Sequence, residues 1–229
     1  MKKRAFTLAE VLITLGIIGI VAALTMPTLI GNYQKKQTVV KLKKVYTTLY
    51  QAVELSEEQN GPMDYWDSNI SSNDIFIKYI KPYVKNIQSI NYDRNKMPLY
   101  KGPNGSVEGA MTPLYQNTGL FVLNDGTVFF TPKQIPAVSI ALIAVDLNGF
   151  RGPNIIGRDW FVFSIPKPKN TKIKVVPYGT YNTADMSMGE WTRENTQKGS
   201  YACSKQGRGQ YCAALIMIDN WEIKDYYPW

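Results

Sequence analysis

Lys2-Lys3-Arg4-Ala5-Phe6-Thr7-Leu8-Ala9-Glu10 opens the chain, and an uncharged run from Val11 to Ile30 follows it. Three cations come first, then a small residue, a phenylalanine and, four places on, a lone carboxylate. At 1.5 Å per residue the run reaches about 30 Å as a helix, the thickness of bilayer hydrocarbon. A bare carboxylate at the edge of such a segment is costly in lipid, so Glu10 calls for a partner. Pro27 removes one backbone hydrogen bond, and a kink is expected there.

Working outward, Gly31 to Gln37 reads as an interfacial stretch with Tyr33, Lys35 and Lys36. From Val39 the pattern becomes amphipathic. Val39, Leu42, Val45 or Tyr46, Leu49 and Val53 recur at three- and four-residue steps, with Lys41, Lys43, Lys44 and Gln51 on the other side. Gly61-Pro62 stops it. One helix is expected from about Phe6 to about Glu58. Ser72-Asn73-Asp74 is expected to cap a short helix over 75–80. Residues 91–119 read as loops with one short strand.

Sheet signals begin at Gly119. Leu120–Leu123 and Thr127–Phe130 flank Asn124-Asp125-Gly126, the mark of a hairpin. Ile140–Val145 and Trp160–Ile165 read as further strands, Val175-Val176 as an edge piece and Ala213–Ile218 as a late strand. The fold class is therefore α+β: a long N-terminal helix, membrane-spanning in its first half, packed on an antiparallel sheet. The expected divisions are a leader at 1–5, a membrane or filament-core helix at 6–30, its amphipathic continuation at 31–60, and a globular domain at 61–229.

The opening layout resembles that of the type IV pilin and type II secretion pseudopilin superfamily. The residues that carry the likeness are Lys2-Lys3-Arg4, the Ala5-Phe6 junction and Phe6 to Ile13. The resemblance implies a pilin-like fold and cleavage by a prepilin peptidase between Ala5 and Phe6, followed by N-methylation of Phe6. Glu10 would pair with the terminal amine of a neighbouring subunit during assembly, and Pro27 falls at the family's kink. The family's usual residue before the cut is glycine, where this chain has Ala5. Partners implied are other pilin or pseudopilin subunits, the peptidase, an inner-membrane assembly platform and the membrane itself. A secretory signal cut after Val21-Ala22-Ala23, or a plain anchor, is the simpler alternative. Neither calls for Glu10 or Phe6. The lysines after the apolar run would on charge alone hold the domain in the cytoplasm; the resemblance puts it outside, anchored by a single pass in the bacterial inner membrane.

The sequence has 229 residues, a net charge of +8, 45% hydrophobic residues and no histidine. It is long enough for an anchor and one domain with a real core. Without histidine there is no Ser-His-Asp or Cys-His machinery, which argues against an enzyme. Cys203 and Cys212 are expected to pair if the domain is exported, and the C-terminal disulfide regions of many pilins agree. Between them Lys205 and Arg208, with Tyr201 and Tyr211 adjacent, fit either a solvated turn or a weak nucleic-acid contact. The loop from Asp146 to Trp160 holds Asp146, Asn148 and Asp159, hard oxygens suited to calcium, which some members of the resembled superfamily bind in the sheet region. The simpler reading is a tight turn held by Asx side chains, with Asp159 paired to Arg151 or Arg158. A singly anchored binding protein for DNA, glycan or a cation, which does not polymerise, is the alternative function.

Overall fold

The computed structural model describes residues 7–91, 97–108, 118–132, 139–167, 174–179 and 192–229. It divides into two compact units, Met1–Gln37 and Thr38–Trp229. Helix α1 (Leu8–Asn60) runs through both, with Pro27 inside it.

In the first unit the apolar side chains point to no protein. Leu12, Ile13, Leu15, Ile18, Leu24 and Leu29 are all exposed. The hydroxyls of Thr14 and Thr25 donate to the carbonyls of Val11 and Val21, each at 2.9 Å, so these two polar side chains are satisfied within the helix. This helix is long and apolar enough to cross a membrane.

In the second unit α1 follows the expected period. Leu42, Val45, Leu49, Ala52 and Val53 are buried, while Lys41, Lys43, Lys44 and Gln51 face solvent. The inner residues pack on a six-stranded antiparallel sheet. Its strands are β1 (Ile87–Ser89), β4 (Thr118–Leu123), β5 (Val128–Pro132), β6 (Ser139–Asp146), β7 (Trp160–Pro166) and β8 (Val176–Pro177), in that spatial order. A separate pair, β2 (Tyr100–Lys101) and β3 (Val107–Glu108), makes a small hairpin.

Side chains alternate along each strand with period two. Phe121, Phe129, Ile143, Val145, Phe161, Phe163 and Ile165 join the core built on α1. Leu120, Val128, Phe130, Ala144, Trp160 and Val162 fill a second core, closed by Tyr100 and Ile156. Both faces of the central strands are thus covered, and for this reason β7 reads as an unbroken apolar run rather than an alternating one.

Two expectations need correction. Ala213–Ile218 is not a strand but the body of a helix, α4 (Cys212–Ile218), which follows the single-turn helix α3 (Arg193–Thr196). A short run that is apolar all round has no period to read, and Ala, Leu and Met favour helix. The short helix near residue 75 starts earlier: Ser71, not Ser72, is the cap, its hydroxyl accepting from the Asp74 amide at 3.1 Å. α2 (Ser72–Ile75) then widens into a π-turn over Phe76–Ile80. Strand β1 lies in a stretch without periodic signal and was not expected.

Candidate functional site

The sequence singles out three places. At the N-terminus, Ala5 and Phe6 lie outside the described residues. Glu10 sits in the first turn of α1 and is bound to Thr7 in both directions. Its carboxylate accepts from the Thr7 amide at 2.8 Å and the Thr7 hydroxyl at 2.9 Å, and the Glu10 amide donates to the Thr7 hydroxyl at 3.3 Å. This is a capping box, which closes free amides at the helix start. The Thr-x-x-Glu spacing of Thr7 and Glu10 is its signal in the sequence. In the single chain, therefore, Glu10 is not bare; Thr7 solvates it.

The loop between β6 and β7 comes second. Asp146 and Trp160 pair across the two strands at its base. Asp146 accepts from the Tyr100 hydroxyl at 2.6 Å and the Asn148 amide at 3.0 Å. Asp159 accepts from the amides of Asn154 at 2.7 Å and Ile155 at 2.6 Å, and the side-chain nitrogen of Asn148 lies 3.5 Å from it. The structure does bring Asp146, Asn148 and Asp159 together. However, each carboxylate oxygen already has a neutral donor, and Asn148 turns its nitrogen rather than its oxygen to Asp159. Among the described residues no three His, Cys, Asp or Glu side chains stand close enough to hold a metal. As it stands, the loop is a hydrogen-bonded turn whose carboxylate oxygens are engaged by neutral donors. The expected ion pair of Asp159 is also absent among the described residues. Arg158 instead lies over the Trp229 ring at 4.6 Å. Burial pushes the Asp146 carboxyl up to about 6, aided by the nearby charge of Asp159, and burial raises Asp159 too.

Cys203 and Cys212 form the third place. They are joined in a disulfide, and both are fully buried. The bond ties the segment before it to the first residue of α4. Gly157 of the β6–β7 loop packs directly on it. Its φ is +89°, and a Cβ there would lie 2.7 Å from the Cys212 sulfur. The Tyr227 hydroxyl donates to the Gly157 carbonyl. The terminal aromatics thus fold back on the domain, closing the loop, the disulfide and the chain end into one block. Tyr201 and Tyr211, once candidates for stacking bases, face each other and Tyr178 at 5.9–6.2 Å, with Arg208 over Tyr201.

Residues 1–26 match the prokaryotic N-terminal methylation motif, and residues 28–229 match the model described as "Family of unknown function (DUF6613)". The two matches meet at Pro27. No curated protein and no solved structure matches the chain. With the motif over its basic start and apolar run, and the second match over the whole domain, the chain belongs to the DUF6613 family and begins with a prepilin-type segment of the type IV pilin kind.

Proposed function

We propose that this chain is a filament subunit of the type IV pilus or type II secretion kind, cut by a prepilin peptidase between Ala5 and Phe6 and polymerised through the first half of α1. The observation that carries the reading is the methylation motif over a helix whose apolar side chains are exposed all round. Such a surface needs lipid before assembly and neighbouring helices after it. The domain from Thr38 onward would stand outside the cytoplasm and ride on the filament. Its role is assembly and display rather than catalysis.

Glu10 has a definite part in this scheme. Within one chain Thr7 occupies its carboxylate. On assembly the methylated amine of a neighbour's Phe6 would take over from Thr7, replacing two hydrogen bonds from neutral donors by one from a cation. The exchange sets register, because only one neighbour position brings the amine to the carboxylate. Glu10→Ala is expected to leave peptidase cleavage intact and to abolish or strongly reduce filaments. Electron microscopy of sheared cell-surface material and immunoblotting for the shortened chain read the two effects separately. Normal filaments from the variant would sink the assignment of Glu10.

A further inference from the structure

An open cleft of about 750 Å³ lies between α1, the β4–β5 turn and the loop that follows β6. That volume is in the range of ligand sites, roughly 300–1,000 Å³. Its floor carries Ile90, Val122 and Phe150, partly buried side chains packed on the second core. Its rim carries Lys41, Arg151 and the amides of Asn91 and Asn124.

The three walls are fastened to one another in pairs. Lys44 of α1 pairs with Asp125 of the turn at 2.7 Å. Lys41 of α1 donates to the Leu147 carbonyl of the loop at 3.3 Å. Gly149 of the loop lies so close to the turn that a Cβ would come within 2.5 Å of the Gly126 carbonyl oxygen. The shape therefore exists before any ligand arrives, which lowers the ordering cost of binding.

The charge of this frame is unbalanced. Asp125, the only carboxylate among the described lining residues, is neutralised by Lys44. Lys41 has a neutral carbonyl as partner, and Arg151 is exposed with no ion pair among the described residues. Two cations thus stand over an apolar floor. Asn91 and Asn124 add side-chain amides, each with a donor and an acceptor, the complement of a peptide group.

We propose that this cleft docks an extended acidic peptide segment of a partner protein. One apolar side chain of the segment rests on Ile90, Val122 and Phe150. Carboxylates beside it meet Lys41 and Arg151, and the rim amides bind its backbone. An open groove suits a chain that passes across it, and the charge excess selects acidic sequence.

Fluorescence anisotropy on the full chain in neutral detergent micelles tests this. The probe is a labelled peptide, acetyl-Glu-Leu-Asp-Phe-Glu-amide, with its Gln/Asn counterpart as control. The acidic peptide should bind at least tenfold more tightly than the neutral one and weaken as salt rises. Arg151→Glu and Lys41→Met should each weaken it about tenfold, since tenfold is the worth of roughly one good charge contact. Both variants should melt within a few degrees of the parent. Equal binding of the two peptides, or unchanged binding by both folded variants, overturns the proposal. Binding to anionic lipid vesicles but not to the peptide overturns it as well, in favour of a membrane contact.

Discussion

Asp146 is a buried residue whose chemistry departs far from its exposed form. It is fully buried, has no cationic partner among the described residues, and has its carboxyl raised to about 6 against 3.8 for a free one. A carboxyl raised by folding binds its proton more tightly in the folded chain. Stability should therefore grow as pH falls from about 7 towards 4, and be lost as pH rises through about 6. The ionised form costs on the order of 2–3 kcal/mol at neutral pH. Asp146→Asn keeps an oxygen for the Asn148 amide and leaves the Tyr100 hydroxyl free to turn. We expect the variant to melt no lower than the parent at pH 7.5 and to lose much of the gain seen on moving to pH 5. Asp159, raised in the same direction, supplies the remainder. Melting curves in chelator at the two pH values check this, and an unaltered pH gain would contradict it. Gly157 is the second sensitive residue. Gly157→Ala adds a methyl against the disulfide at a left-handed φ. It should cost about 2–4 kcal/mol in urea unfolding; a loss below 1 kcal/mol would show that the contact yields.

Among the elements, β4 and β5 were legible because their signals are local. Two β-prone runs flank Asp125-Gly126, and the structure pairs Leu120 with Phe130 and Val122 with Val128 around that turn. The second half of α1 was legible for the same reason: its apolar stripe repeats over several turns. Helix α4 was not. Ala213–Ile216 is buried on every side, and an element without a polar face carries no period. Strand β1 was hidden because three residues on a sheet edge are too few to show alternation. The candidate site divides likewise. The capping box of Glu10 is written in four residues, whereas the packing of Gly157 on Cys212 joins positions far apart in the chain. The disulfide fixes where α4 starts. Replacing both Cys203 and Cys212 by Ser should lower stability by roughly 2–3 kcal/mol, the chain-entropy value for so short a loop. It should also expose the Gly157 contact to exchange with solvent. Chemical unfolding with amide exchange at residues 157 and 212–216 reads both. Unchanged exchange there would mean that the core alone holds α4.

For the molecule as a whole, the methylation motif ends and the family match begins on either side of Pro27. The same helix thus serves two environments. Its first part exposes apolar side chains to whatever surrounds it, and its part from Thr38 onward buries a narrow stripe in a domain core. The domain is closed by both faces of its sheet and by the disulfide. The proposed function requires processing at the Ala5-Phe6 junction. Intact mass and N-terminal sequencing of the protein from native membranes test it most directly. A mature chain beginning with N-methylated Phe6 is the predicted result. A chain that still begins at Met1 would contradict it, and one that begins near Leu24 would show a secreted protein that has lost Glu10 and most of the apolar first half of α1.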